Sequence, residues 1–130
     1  MVIGIVVTHG SLAEELLATA KRIYGDFAGC HAVTNDGKSP QALLEELRSL
    51  VDANAGDRCI VFTDFFGGSC CHVCMKLRME REDVPVITGV NLPMILAFLN
   101  KRDSIPFDGL PGEVIGRGHN SIQVVDPEVF

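Results

Sequence analysis

Two stretches of this 130-residue chain carry side chains that could do chemistry together. In VVTHGSLAEE, His9 stands between an apolar run and a helical pattern. In RCIVFTDFFGGSCC, Asp64 closes a second apolar run and is followed by Gly67, Gly68 and Ser69. A histidine nucleophile needs one ring nitrogen free to attack and the other held by a hydrogen bond that sets the tautomer and supports the developing positive charge. A carboxylate does both. Asp64 accepting from Nδ1 leaves Nε2 as the attacking atom, the orienting logic of the acid in a hydrolase triad. Where the glycine pair opens a helix, the amides of Gly67, Gly68 and Ser69 can converge on an anion, helped by the Ser69 hydroxyl. A helix starting at Ser11, two residues after His9, would direct further amide dipoles into the same place. Each part has a plainer explanation: His9 as a turn residue, Asp64 as a cap, GGS as a helix start. Together they point to phosphoryl transfer onto His9. No G-x-x-x-x-G-K-[ST] is present and no G-x-G-x-x-G follows a strand, so nothing marks a nucleotide as the donor.

Strands and helices must bring these residues together. Residues 2 to 8, VIGIVVT, form an apolar β-branched run without alternation, the pattern of a strand covered on both faces. S-x-x-E at Ser11 and Glu14 predicts a capping box, and Leu12, Leu16, Leu17, Ala20 and Ile23 continue a helix over about 11 to 24. CHAVTND reads as a short second strand, and SPQALLEELRSLVDAN as a helix capped by Ser39 with Pro40 at its first position. RCIVFTD is a third strand and FFGGSCCHVCMKLRMERED its helix. VPVITGV and NLPMILAFLNKRD repeat the unit. After a Pro/Gly-rich stretch in which Gly116 and Gly118 read as a flexible joint, SIQVVD reads as a last short strand. Repeated strand-helix alternation predicts an α/β fold: an open, mostly parallel sheet of order 2-1-3-4 with helices on both faces. In that order the first and third strands are neighbours, and ligands bind beyond their carboxyl ends, where His9 and Asp64 both leave the sheet.

The composition limits the alternatives. The length suits one domain over residues 1–130 with its own core, and no apolar stretch approaches the roughly 20 residues needed to cross a bilayer. The apolar start lacks a basic region ahead of it, so it does not read as a signal peptide, and a cytoplasmic protein is expected. A net charge of −6 without a basic run offers no footprint for nucleic acid or anionic lipid. Five cysteines, an odd count, argue for reduced thiols rather than a disulfide framework. Cys70, Cys71, His72 and Cys74 lie within about one turn of helix, too short an arc to point four ligands inward, so neither a metal nor a cofactor is expected. They read mainly as small core residues, with a low-pKa thiol at Cys70 or Cys71 as the reactive alternative. His31 and His119 fall outside the crevice. Asn91 and Pro93 suit either its rim or a helix cap and first-turn proline. Phe65 and Phe66 read as core, or, if exposed, as part of a docking patch beside His9.

At these residues the chain resembles the mannose-type IIA family of the bacterial phosphoenolpyruvate-dependent sugar phosphotransferase system. IGIVVTHGSLAEELLATA, IVFTDFFGGS and ITGVNLPM carry the resemblance, in the family's order and at about its intervals. The resemblance implies a phosphotransferase with a phosphohistidine intermediate. His9 would take a phosphoryl group on Nε2 from the histidine phosphocarrier protein and pass it to a IIB partner for sugar uptake, in peripheral association with a membrane transporter. Asp64 matches the family's orienting acid, and Gly68 and Ser69 its phosphate-binding turn. The resemblance also implies a homodimer in which the C-terminal strand, here SIQVVD, is exchanged. The chain departs from the family at Phe65, where an aromatic stands in place of a small polar residue so that both residues after Asp64 are aromatic, and at CCHVC. No IIB domain follows within these residues, so the acceptor is expected on another polypeptide. Two further readings share the scaffold: a regulatory module whose partner affinity is switched by phosphorylation of His9, and a phosphocarrier subunit for dihydroxyacetone kinase. The D-x-x-G-G-S turn suits the mannose type better than the last.

Overall fold

The computed structural model describes residues 1–129. Its elements run β1 (Val2–Thr8), α1 (Leu12–Tyr24), β2 (Cys30–Thr34), α2 (Pro40–Ala53), β3 (Arg58–Thr63), α3 (Gly68–Glu80), β4 (Val86–Ile87), α4 (Leu92–Lys101) and α5 (Leu110–Asn120), with 3-10 turns at Phe107–Gly109 and Pro127–Val129. The four strands pair in parallel in the order β2-β1-β3-β4, the topology that the strand-helix alternation predicts. None of the described helices is long and apolar enough to cross a membrane.

The unbroken apolar run of β1 follows from burial on both faces, since successive side chains leave a strand on opposite sides. Ile3, Ile5 and Val7 pack with Leu43 and Leu47 of α2 and Val73 and Leu77 of α3. Val6, with Ile60 and Phe62 of β3, packs on the other side with Ala13 and Ala20 of α1, Ile95 and Phe98 of α4 and Val114 of α5. Gly4 lies on this second face, where an added Cβ would sit 2.9 Å from Phe98 Cε2. Its missing side chain admits the Phe98 ring, which meets Phe62 edge-on with centroids 5.4 Å apart.

Helix starts are set by specific acceptors. Ser39 Oγ accepts the Ala42 N–H at 3.1 Å ahead of Pro40, as its position predicts. Asn91 Oδ1 accepts the Met94 N–H at 2.9 Å while its Nδ2 donates to the Gly118 carbonyl at 3.4 Å, so Asn91 and Pro93 open α4 as cap and first-turn proline. The capping box expected at Ser11 and Glu14 does not form, because Ser11 makes no side-chain cap bond. Gly10, at φ +58°, turns the chain, and Thr8 Oγ1 from the buried end of β1 accepts the Ala13 N–H at 2.7 Å instead.

The last third of the chain departs furthest from the expected pattern. GLPGEVIGRGHN is not a loop: all but its first residue form α5, because Leu110, Val114 and Gly118 recur every fourth residue and are buried. Gly118 is therefore no joint. An added Cβ there would lie 2.2 Å from Met94 Cγ, so the glycine lets α5 approach α4 closely. Gly116 likewise sits inside the helix, whose packing outweighs the roughly 1 kcal/mol that each interior glycine costs. The fourth strand is two residues long, because the chain turns at Gly89, φ +77°, before the Val90 N–H returns to the Thr63 carbonyl at 3.0 Å. SIQVVD forms no strand. Among the described residues its backbone finds no sheet edge, and Ile122, Val124 and Val125 are exposed, Val124 at 95%.

The capping assignment predicts unequal costs. Thr8→Val keeps the β-branched shape but strands a buried Ala13 N–H, and it is expected to lower stability by about 1–3 kcal/mol. Ser11→Ala is expected to change it by no more than about 0.5 kcal/mol. Urea unfolding of the two variants checks this, and the reverse ranking would return the cap to Ser11.

Candidate functional site

The register of β1 on β3 pairs Val7 with Thr63, so the residues just beyond both strand ends emerge side by side. His9 Nδ1 lies 2.8 Å from Asp64 Oδ2, and the same oxygen accepts the His9 backbone N–H at 2.9 Å. Asp64 Oδ1 accepts the Phe65 N–H at 3.1 Å and the Thr63 hydroxyl at 3.4 Å. A carboxylate held by two backbone amides has little freedom to turn, and an ionised one only accepts, so Nδ1 carries the imidazole proton. Burial works to raise the Asp64 pKa, but the backbone N–H of His9, then its ring, hold the carboxyl below its ordinary value. The charge facing Nδ1 is therefore secure.

The other ring nitrogen is the open one. Ser69 Oγ stands 3.3 Å from His9 Nε2, and Asn35 Nδ2 donates to Ser69 Oγ at 3.3 Å. With the proton on Nδ1, directions along the chain are determined: the Asn35 amide donates to the serine oxygen, and the serine hydroxyl donates to the Nε2 lone pair. Asn35 follows β2, anchored by its backbone N–H to the Thr8 carbonyl at 3.2 Å, and its Oδ1 is buried without a hydrogen-bond partner among the described residues. The sequence reading missed it. A signal was available, since strand order 2-1-3-4 already places the residue after the second strand beside the end of the first.

Gly67 precedes α3 at φ +96°, and Gly68 and Ser69 begin it; no side chain caps this helix start. Amides of a helix's first turn have no intrahelical partner. They open at the same end of the sheet as Nε2, and of Gly67, Gly68 and Ser69 it is Ser69 that hydrogen-bonds His9. Phe65 stacks on the imidazole with centroids 5.3 Å apart and 29° between planes. Its far edge leaves no room beside Gly68, where a Cβ would meet Phe65 Cζ at 2.6 Å on a backbone at φ +70°. Neither phenylalanine belongs to the core: Phe65 is half exposed and Phe66 is 80% exposed. The short turn between Asp64 and the helix gives them no inward face.

CCHVC divides between the two sides of α3. Cys70, Cys71 and Cys74 are buried and unbridged, while His72 is exposed. Cys70 is not a low-pKa thiol. Burial, then the nearby Asp64 charge, pushes Cys70 up to about 11, and burial pushes Cys74 up to about 12. Yet Cys70 does not lie apart from the site: its Sγ, one His9 nitrogen and one Asp64 oxygen all fall within 4.8 Å of one another. His31 lies within β2 opposite Ile5, and His119 is exposed near the end of α5.

The sequence model of the family described as "PTS system fructose IIA component" matches residues 4–115. The mannose-specific EIIAB component of Escherichia coli (strain K12) is 30% identical over an alignment of 129 residues that covers 96% of this chain and 40% of that protein. The chain thus spans about two-fifths of the length of that relative. The sorbose-specific EIIA component of Klebsiella pneumoniae is 26% identical over 110 residues, covering 85% of this chain and 82% of that one. In three dimensions, phosphotransferase system component EIIA from Streptococcus agalactiae superimposes with a TM-score of 0.87 at 25% identity, covering 100% of both chains.

The packing of Phe65 between His9 and Gly68 yields a direct test. Gly68→Ala adds a methyl group where the ring edge lies and places a side chain at positive φ, so it is expected to lower stability by about 1–3 kcal/mol and to lift Phe65 off the imidazole. In proton NMR the His9 ring signals should lose their ring-current shift. Unchanged His9 signals would show that the stack does not depend on this glycine.

Proposed function

The chain belongs to the mannose- and fructose-type IIA family of the phosphoenolpyruvate-dependent sugar phosphotransferase system, and from this we propose that residues 1–130 act as one phosphoryl-transfer domain. His9 takes the phosphoryl group from the histidine phosphocarrier protein and hands it to a IIB partner that serves sugar uptake at the membrane. The observation that carries this reading is the 2.8 Å contact between His9 Nδ1 and Asp64 Oδ2, which leaves Nε2 as the only nucleophilic lone pair of the ring.

In the forward step the Nε2 lone pair forms a bond to phosphorus as the phosphorus–nitrogen bond to the donor histidine breaks, and the donor ring keeps that electron pair. Such transfers are governed by positioning and by charge stabilisation rather than by covalent chemistry of the protein. Asp64 faces the positive charge that spreads over the His9 ring. Ser69 must first release Nε2, and its hydroxyl then becomes a donor to a phosphoryl oxygen, with Asn35 still holding its Oγ. Gly67 and Gly68 leave the first-turn amides of α3 open to the remaining oxygens. Phe65 covers one ring face, and with Phe66 it forms an apolar rim suited to a protein donor or acceptor.

The family reading also includes a homodimer. Ile122, Val124, Val125 and Val129 leave an apolar tail exposed on a single chain, and the sheet keeps β2 and the two-residue β4 as open edges. Exchange of the tail between two copies covers both tail and edge, because a strand edge offers the backbone partners that the tail lacks.

Incubation with phosphoenolpyruvate, enzyme I and the histidine phosphocarrier protein should add one acid-labile phosphate, seen by intact-mass spectrometry. His9→Ala is expected to abolish it in a folded protein; a labile phosphate that persists would move the site. Asp64→Asn, which keeps a hydrogen-bonding group but not the charge or the tautomer choice, should slow transfer by about 100-fold or more in rapid-quench measurements. An unchanged rate would reduce Asp64 to a turn residue. Deleting residues 121–130 should lower the light-scattering mass from two chains to one. Full-length protein that is already monomeric at micromolar concentration would overturn the exchange.

A further inference from the structure

Phosphoryl transfer leaves Cys70 without a task, although its sulfur lies against the reacting pair. The residue is fully buried in the first turn of α3, and its Sγ, a His9 ring nitrogen and an Asp64 oxygen lie within 4.8 Å of one another. A tetrahedral cation with bonds of about 2.0–2.3 Å holds its ligand atoms roughly 3.3–3.8 Å apart, so these three are near a coordinating arrangement before any adjustment. Each also comes from a separately anchored segment. His9 and Asp64 are pinned by backbone hydrogen bonds, and Cys70 is fixed by the core beneath α2 and α3. The His9 side chain is 39% exposed, which gives an ion a way in, with Cys70 as the floor.

We propose that this crevice binds a divalent cation of the zinc class through His9, Asp64 and Cys70, and that the bound cation closes the domain to phosphorylation. The second half rests on the phosphoryl-transfer role of His9; the first does not. Imidazole and thiolate together select zinc and its soft or borderline neighbours over magnesium or calcium, which take oxygen ligands. Three protein ligands and one water complete a four-coordinate site. On binding, the Cys70 thiol releases its proton to solvent, Asp64 stays ionised, His9 keeps its single proton, and no electrons move. If the cation sits on Nε2, it occupies the attacking atom. If it sits on Nδ1, the ring proton passes to Nε2. Either way the Nε2 lone pair is consumed.

The test uses the full chain, freed of metal with a chelator and kept reduced. Titration with cobalt(II) should give one equivalent of binding with a thiolate-to-cobalt charge-transfer band in the near ultraviolet, and Cys70→Ala should lose the band. Zinc, measured by competition with a chromophoric chelator, should bind Cys70→Ala and His9→Ala at least about tenfold more weakly than the parent. No charge-transfer band, or equal zinc affinity in Cys70→Ala, would overturn the site. In the phosphorylation assay, one equivalent of free zinc should block labelling of the parent and spare Cys70→Ala in the same donor mixture. Loss of labelling in both, or in neither, would overturn the block while leaving the binding result standing. A metal-free parent that takes no phosphate would instead refute the phosphoryl-transfer role of His9.

Discussion

One carboxylate oxygen organises the site. Asp64 Oδ2 receives both the backbone N–H and the ring of His9, and through them it ties the segment after β1 to the segment after β3. Bonds to a charged acceptor contribute more than neutral ones, of order 1.5–3 kcal/mol each, and here two are made to one atom in a half-buried place. The remaining features depend on this junction. The imidazole has a defined tautomer because its Nδ1 partner cannot donate. Nε2 therefore meets Ser69 as an acceptor, and Ser69 in turn meets Asn35 as one. Phe65, next in the chain after Asp64, has its N–H on the same carboxylate and its ring on the imidazole.

Such a junction holds its geometry only if the strands beneath it do not slide. β1 and β3 are buried on both faces, and the two cores of large apolar side chains lock their register from opposite sides. Packing at crystal-like density makes that register costly to change. Reactive groups placed on short segments at the ends of such strands combine a rigid base with open access. The exposed Phe65 and Phe66 follow the same division of labour, since they contribute nothing to the core and stay at the surface, Phe65 against the His9 ring.

Helix α3 serves both parts of the molecule at once. Its first turn supplies uncapped amides and Ser69 to the crevice, and the same turn sends Cys70 into the core formed with α2 and β1. A small apolar residue such as alanine at position 70 would remain in the core but could not ligate. In the cation site proposed for this crevice, that thiol is the ligand drawn from the core side, its sulfur within 4.8 Å of a His9 nitrogen and an Asp64 oxygen.

Much of this was legible from residue order alone. Double-faced apolar runs and helical periods of three to four residues specify a parallel α/β sheet, because local side-chain spacing reports directly which faces are covered. His9 and Asp64 could be paired for the same reason: strand order follows from right-handed crossovers, and strand ends then meet. What the chain does after Lys101 was not legible, because Gly-rich GEVIGRGHN has poor helix propensity and becomes helical through tertiary packing, with Leu110 and Val114 in the core and Gly118 close against Met94 of α4. Nor was the cap of α1, which depended on a Gly10 turn that brings Thr8 rather than Ser11 to the Ala13 amide. Asn35 behind Ser69, Phe65 on the imidazole and Cys70 below it are likewise contacts between segments. A sequence carries the identity of each side chain, but the distances that turn several of them into one site arise only when separate elements are packed together.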